Sequence, residues 1–301
     1  MAISRAQLVK ELEPGLNALF GLEYKNYANE HAEIFDTETS DRAFEEEVML
    51  SGFANAAVKP EGQGVTFDDA QETFTARYTN ETIALAFAIT EEAIEDNLYD
   101  RLASRYTKAL ARSMANTKQV KAAAVLNNGF NANFAGGDGV ALFATNHPTI
   151  AGTFSNELAV ASDLNETSLE QALIDIAAMT DERGLKIASR GMKLIIPSAL
   201  QFTADRLMKS EGRTGTADND INAVRNMGMI PEGYTVNHFL TSNKKWFIKT
   251  DVPNGLKHFV RSPIKTSMEG DFDTGNVRYK ARERYVFGFS DPRGIFGSDA
   301  V

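Results

Sequence analysis

The longest uninterrupted helical pattern in this sequence is residues 90–129, TEEAIEDNLYDRLASRYTKALARSMANTKQVKAAAVLNNG, which has no proline and no glycine before Gly129. Apolar side chains recur in it about every four residues, as expected for one stripe along a helix: Ile94, Leu98, Leu102, Tyr106, Leu110 and Met114. Thr90 is a suitable N-terminal cap, and Asn127-Asn128-Gly129 is a typical helix stop. We therefore predict a helix over 90–128, a rod of roughly 50–55 Å that is far longer than an average helix.

The composition around this helix is that of a soluble globular protein. The 301 residues are 43% hydrophobic and 24% charged, which excludes collagen-like, coiled-coil and wholly disordered chains. No apolar run approaches the ~20 residues that a membrane span requires, so we predict no membrane partner. The absence of cysteine excludes disulfides and cysteine-bound metals and is compatible with a reducing cytoplasm.

The charge balance disfavours one class of function. Forty-one acidic residues against 31 basic ones give a net charge of −10, the opposite of what sequence-specific DNA binding requires. A container for nucleic acid can nevertheless be acidic, because the polymer then does not stick to its wall.

Before the long helix, the sequence predicts extensions rather than a packed unit. Residues 4–22 predict a short or broken helix because Pro14-Gly15 interrupts the pattern, and residues 24–47 predict a polar, extended arm. From Val48 to Tyr78 the alternation predicts a β-hairpin with a long, glycine-rich excursion between its strands. Residues 83–89 predict a strand buried on both faces.

After the long helix, strands and helices alternate, which predicts a compact α/β unit over about 166–254. Its predicted parts are a helix opened by a capping box at Thr167–Glu170 and ended by Gly184, a strand at 192–196, a second capping box at Ser198–Gln201 with a helix to Lys209, a flexible excursion at 211–220, and paired strands at 234–239 and 245–249.

Residues 277–289 predict a strand with two unlike faces. Its even positions are cationic: Arg278, Lys280, Arg282 and Arg284. Its odd positions are largely aromatic or apolar, with Glu283 among them. The cationic face is either solvated, in contact with an acidic neighbour because four like charges repel one another, or in contact with packaged phosphate.

The sequence predicts no catalytic, cofactor-binding or metal-binding residues. Its four histidines lack the spacing of a zinc protease, and neither a nucleophile elbow nor a phosphate-binding loop is present. His147, in a turn before Pro148, is predicted to be structural, and the glycine cluster at 136–139 follows a helix rather than a strand. An arm, a projecting hairpin and a long rod instead favour a self-assembling structural protein, because such extensions gain order only against another copy.

Several motifs carry a resemblance to a known family. They are DGVALF (138–143) with His147-Pro148 and Asn156, DERG (181–184), LIIP (194–197) with Leu200 and Ala204, Trp246-Phe247, and the strand from Arg278 to Arg284 leading into FSDPRGIF (289–296). In order and spacing they resemble tailed-phage major capsid proteins of the Hong Kong 97-type fold, and most of all the Mu-like major head subunit group.

That resemblance implies an α+β Hong Kong 97-type fold with five regions: an N-terminal arm (1–50), an extended β-hairpin loop (51–88), a peripheral domain (89–165) with a spine helix (90–128), an α/β axial domain (166–254), and returning peripheral strands with the C-terminus (255–301). It implies hexamers and pentamers that close an icosahedral shell around double-stranded DNA. Scaffolding protein and portal would be partners, and the family also allows a decoration protein. The location would be the virion capsid, after synthesis in the bacterial host cytoplasm.

Residues predicted to contact neighbouring subunits are Lys59, Glu61 and Asp68 in the loop and Arg278, Lys280, Arg282 and Arg284 in the strand. Because the chain starts near the arm, the resemblance implies a separate scaffolding protein. Lys59 could serve a Lys–Asn cross-link, although a lysine near a loop tip is usually only solvated. The alternatives left open are a phage tail or baseplate structural protein, and a soluble α/β enzyme or small binding module.

Overall fold

The computed structural model describes residues 5–90, 99–213, 220–271 and 275–300. Its helices are α1 (Arg5–Asn26), α2 (Tyr99–Asn127), α3 (Glu166–Ala178), α4 (Gln201–Lys209) and α5 (Ala223–Met227). Its strands are β1 (Asp36–Thr39), β2 (Phe44–Leu50), β3 (Glu72–Thr79), β4 (Glu81–Ile89), β5 (His147–Thr149), β6 (Gly152–Phe154), β7 (Gly191–Ile196), β8 (Tyr234–Val236), β9 (Trp246–Thr250), β10 (Leu256–Gly270), β11 (Val277–Phe289) and β12 (Ile295–Ser298). The fold is therefore mixed α+β, as predicted.

Two four-stranded sheets organise the chain. The first has the order β1-β10-β11-β4, with β1 parallel to β10 and the other pairs antiparallel. The second has the order β12-β9-β7-β8, with β8 parallel to β7. Two hairpins, β2–β3 and β5–β6, complete the strands.

Helix α2 connects the two sheets through their cores. Its middle packs with α1 on the first sheet, where Leu110, Met114 and Tyr279 are buried. Its C-terminal end belongs to a cluster that joins Leu126 to Phe247 of the second sheet. A further core covers the other side of that sheet with α3 and α4. One long helix therefore holds both sheets in place.

The long helix agrees with the prediction over its described part. It runs for 29 residues to Asn127, about 44 Å, and ends where the Asn-Asn-Gly stop was predicted. Residues 91–98, with the acidic first turns, lie outside the described residues. Tyr106 is half exposed rather than part of the buried stripe, because a four-residue spacing drifts around a helix of 3.6 residues per turn.

The N-terminal predictions need three corrections. Helix α1 continues through Pro14, because packing of Leu16 and Phe20 on the core outweighs the lost hydrogen bond. The predicted arm is partly docked: it forms a 3-10 turn at Glu30–Glu33 and then β1, which pairs with β10. Strand β4 is an edge strand with one face largely open rather than buried on both faces, since only its odd positions turn towards α2.

The α/β unit also differs in detail. Helix α3 is capped by Asn165 with Ser168, not by Thr167, and ends at Ala178 before the turn that contains Gly184. A 3-10 turn at Ser198–Leu200 precedes α4, with no side-chain cap. Strands β8 and β9 do not pair with each other but lie on opposite sides of β7, because β7 is apolar enough to be the central strand. Residues 214–219 of the predicted excursion lie outside the described residues.

Candidate assembly surfaces

The hairpin excursion is a continuous loop of residues 51–71 held at its base. The Ser51 amide donates to the Gln71 carbonyl (2.9 Å), and the Gln71 amide donates to the Ser51 hydroxyl (2.9 Å). Below this closure, Tyr78 of β3 packs on Phe259 of β10 with ring centroids 4.9 Å apart. The loop is therefore tethered to the first sheet through a packed base, while its tip extends away.

The excursion exposes large apolar side chains. Val58 and Phe67 are 93% and 92% exposed, and Phe53 and Val65 also lie mostly in solvent. Single exposed apolar residues are common, but several within one short loop indicate a surface that another molecule covers. The glycine-rich pattern predicts the projecting excursion but not the exposure of its apolar side chains.

The predicted contact residues of the loop have different surroundings. Asp68 accepts a hydrogen bond from the Ala54 amide (2.7 Å), and that bond lowers the pKa of the Asp68 carboxyl. Asp68 therefore shapes the loop. Lys59 and Glu61 lie exposed on either side of Pro60, and within the described residues neither forms an ion pair.

The exposed even positions of β11 form a positively charged surface. We call it the cationic face and define it as Arg278, Lys280 and Arg282 of β11 with Lys265 of β10. Arg284, which was predicted to belong to the same face, is half-buried, and its Nε is shielded from solvent without a hydrogen-bond partner. Arg278 pairs with Asp271, whereas Lys265, Lys280 and Arg282 make no ion pair within the described ranges. On the neighbouring strand β4, the residues opposite these β11 cations are Ala84, Ala86 and Ala88. Because their side chains are small, the cationic face is accessible from that side.

The odd positions of β11 are buried against α1 and α2. Glu283 is 1% exposed, and its Oε2 accepts from the Lys118 ammonium and the Tyr24 hydroxyl, each at 3.1 Å. Burial raises the pKa of Glu283 despite these partners. The sequence placed Glu283 on this face but gave no signal for its partners, since Tyr24 and Lys118 are distant in the chain.

The quoted motif residues meet in a buried network behind these surfaces. His147 is fully buried, with Nδ1 2.6 Å from Asp138 Oδ2 and Nε2 3.1 Å from Asn156 Oδ1. The Asn156 amide donates to the carbonyls of Leu142 (2.7 Å) and Pro292 (2.9 Å). Asn156 thus connects the loop after α2 to the C-terminal segment.

Arg293 extends the network to the loop after α3. Its guanidinium bonds Glu182 (2.8 Å) and the carbonyl of Thr180 (2.8 Å) and lies over the Phe154 ring at 4.1 Å. It also contacts Asp291 at 3.3 Å, a carboxyl whose pKa burial raises. The role of this network is structural, as predicted for His147, because both imidazole nitrogens are engaged and the ring is closed to solvent.

An apolar groove of about 430 Å³ lies between α2, β11 and the loop after α2, lined by Val125, Phe134, Leu142, Phe287 and Phe289 among others. Its charged lining residues, Lys121 and Glu81, pair with each other.

Within the described part of the chain no three His, Asp or Glu residues could hold a metal ion. None of its described helices combines the length and apolarity needed to cross a membrane.

Comparison with known proteins points to one family. The profile of a family described as phage capsid protein matches residues 72–298, which excludes the whole hairpin excursion. A search of curated proteins finds no match.

Three solved structures share the fold. The virus-like particle from Pyrococcus furiosus is 12% identical with a TM-score of 0.56, over 95% of this chain and 98% of that one. The capsid of an empty GTA particle is 11% identical with a TM-score of 0.59, over 91% of each chain. The capsid of Myoviridae Phage XM1 is 10% identical with a TM-score of 0.51, over 89% of each. At such low identity, the likeness concerns the fold alone.

Proposed function

Because this chain belongs to the phage capsid protein family, we propose that it is a major capsid protein of the Hong Kong 97 type. In this proposal it self-assembles into hexamers and pentamers that close an icosahedral shell around double-stranded DNA. The Mu-like major head subunits remain the proposed subgroup. Scaffolding protein and portal are proposed partners, with a decoration protein as an optional one, and the proposed location is the virion after synthesis in the bacterial host cytoplasm.

One observation carries this proposal: the same chain has a loop with exposed apolar side chains and a cationic face with cations that form no ion pair among the described residues. The excursion exposes Phe67 and Val58 almost completely and carries Glu61 at its tip. The cationic face leaves Lys280 and Arg282 without ion pairs among the described residues. Apolar burial and charge complementarity would both be satisfied if the loop of one copy lay on the cationic face of the next.

The proposed domain boundaries are those predicted from the sequence. The arm is 1–50, the extended loop 51–88, the peripheral domain 89–165 together with 255–301, and the axial domain 166–254. Supporting this division, the second sheet has a core of its own with α3 and α4, while α1 and α2 cover the first sheet. Strand β12 departs from it, because it comes from 255–301 and joins the second sheet. The spine helix is proposed over 90–128.

The test is assembly of the purified chain, followed by light scattering and negative-stain microscopy with and without a candidate scaffolding protein. We expect closed shells or capsomers from the wild type. Rings or tubes would instead indicate a tail or baseplate protein. A monomer that persists at high concentration with scaffold would contradict the proposal.

A double variant, Phe53→Ser with Phe67→Ser, tests the loop itself. Both side chains are exposed in the isolated chain, so we expect its unfolding transition to be unchanged while assembly is lost. Val160→Ser, at a site that is 76% exposed outside the loop, is the matched control. Normal shells from the double variant would show that the loop is not an inter-subunit contact.

A further inference from the structure

Two buried histidines lie where the segment between α1 and β2 docks on the body. His31, in the 3-10 turn, is 6% exposed, and His258, on β10, is 2% exposed. Their rings meet edge to face with centroids 5.2 Å apart, and His258 stacks on Phe287 at 4.2 Å. The docked segment, residues 28–39, therefore covers an imidazole pair.

Hydrogen bonding fixes His31 as neutral. The Gln119 carbonyl oxygen accepts from the His31 backbone amide (3.1 Å), so the Gln119 amide nitrogen must be the atom 2.9 Å from His31 Nδ1. That nitrogen donates, and it also donates to the Ala28 carbonyl (3.2 Å). His31 Nδ1 must consequently be an unprotonated acceptor, because a proton there would face another N–H group.

Doubly protonated His258 would leave its Nε2–H group without an acceptor. Its Nδ1 lies 3.2 Å from the Thr37 hydroxyl, while its Nε2 is buried without a hydrogen-bond partner. Protonation would bury a positive charge and an N–H with no acceptor, which is unfavourable. Burial and the nearby Lys118 charge lower the pKa of His258 to about 3, and burial lowers that of His31.

The charged groups around the pair are engaged elsewhere. From α2 and β11, Lys118 pairs with Glu283, and the Tyr285 ring packs against His258. The acidic residues of the docked segment bond other partners: Glu30 with His238, Glu33 with Lys193, Asp36 with Lys249 and Glu38 with Lys257. No carboxylate is hydrogen-bonded to either imidazole among the described residues, so none would compensate a proton.

We propose that residues 28–39 dock on the body only while His31 and His258 are neutral, and that acidification releases this segment before the rest of the fold opens. This device goes beyond the proposed function, because it operates in the isolated chain and does not require assembly. When the segment is released, both imidazoles reach water and bind protons; when it is docked, they cannot.

The size of the effect follows from linkage. A group with a lowered pKa favours the docked state above its ordinary pKa of 6.5, and that preference is lost progressively as the pH falls towards the docked value. For His258 alone, the shift to about 3 raises the released population roughly thirtyfold between pH 8 and pH 5. His31 acts in the same direction.

Amide hydrogen exchange tests the proposal, with each rate divided by the unstructured-chain rate at the same pH. The reporter amides are Phe35, which bonds the His31 carbonyl, and Ser40, which bonds the Val260 carbonyl; helix α3 is the internal reference. We expect reporter protection to fall about thirtyfold or more from pH 8 to pH 5 and to remain well below the protection of α3 at both pH values. Reporter protection equal to that of α3 would mean that the segment opens only by global unfolding and would overturn the proposal.

The variant His258→Phe keeps the stack on Phe287 and removes the titrating group. We expect the factor by which its reporter protection falls between pH 8 and pH 5 to be at least ten times smaller than in the wild type. His238→Gln removes an exposed histidine that touches the same segment through Glu30, and should behave like the wild type. If His258→Phe does not fold, His31→Asn, which still accepts from Gln119, replaces it. Undiminished pH dependence in the folded variant would refute the mechanism.

Discussion

Arg282 of β11 lies directly opposite Lys265 of β10, so two cations face each other across one antiparallel pair. Like charges in this position destabilise a sheet by roughly 0.2–1 kcal/mol. We therefore expect Arg282→Gln to raise the free energy of unfolding by about 0.5 kcal/mol, measured by urea denaturation, while weakening assembly. Stability and assembly should thus move in opposite directions.

The control for Arg282→Gln is Lys108→Gln, which removes one exposed positive charge from α2. We expect it to leave both quantities nearly unchanged. Normal assembly of Arg282→Gln would mean that the cationic face is only a solvated surface, and lower stability would contradict the repulsion between Arg282 and Lys265.

Replacing Asn156 by alanine should be among the most damaging single changes in the chain. Asn156 is fully buried and bonds two segments and His147, so the change leaves several buried polar groups without partners. We expect a loss of about 3–5 kcal/mol in the free energy of unfolding. Asn133→Ala, at an exposed site in the loop after α2, is the control; a loss below 1 kcal/mol in Asn156→Ala would contradict the structural role.

Gly294 marks a point where two backbone segments touch. A β-carbon there would lie within 2.3 Å of the Cα atom of Gly255, with no flexible side chain to move aside. Gly294→Ala should therefore cost about 1–3 kcal/mol or more in thermal or urea unfolding. Gly270→Ala, where the added methyl meets no atom within 4 Å, should have little effect. Equal stability of the two variants would show that the segments separate easily.

The buried Glu283 makes the free energy of unfolding depend on pH, and the direction of this dependence follows from its raised pKa. Because burial raises its pKa above 4.5, its contribution is fully present below that value and is lost as the pH rises through the folded pKa. Relative to Glu283→Gln, the wild type should therefore lose stability between pH 4 and pH 7. Urea titrations at both pH values measure this difference, with Glu269→Gln on the exposed part of β10 as control; a difference that grows in the other direction would exclude the argument.

Sequence patterns correctly predicted the elements that are determined by residues close together in the chain. The proline-free run to Gly129 predicted α2 and its end, and the alternation at 277–289 predicted the two faces of β11. The predictions failed where distant packing decides. Pro14 does not break α1 because Leu16 and Phe20 are buried, and β8 and β9 are separated by β7, which follows from the topology rather than from the turn between them.

The candidate surfaces were only partly predictable for the same reason. Period-two spacing was enough to assign Arg278, Lys280 and Arg282 to one face. It could not reveal that Asp68 holds its own loop, or that Lys265 joins the cationic face from another strand. The buried network of His147, Asn156 and Arg293 combines residues from three separate stretches, so only their family resemblance connected them beforehand.

The pairing of the sheets has a consequence for how the chain folds. Strand β4 must wait for β11, since Glu81 pairs with Tyr285 about two hundred residues later. Strand β9 can pair with β7 as soon as it is made, but it gains its second neighbour only with β12. Such non-local pairing slows folding, because a long loop must close before the contacts form. During synthesis both sheets stay unfinished until residues 277–298 have left the ribosome. The β2–β3 hairpin, whose loop exposes Phe67, is synthesised early, whereas the first sheet on which it packs is completed only when β11 has been made. Partly synthesised chains therefore lack the cationic face on which another copy's loop would associate.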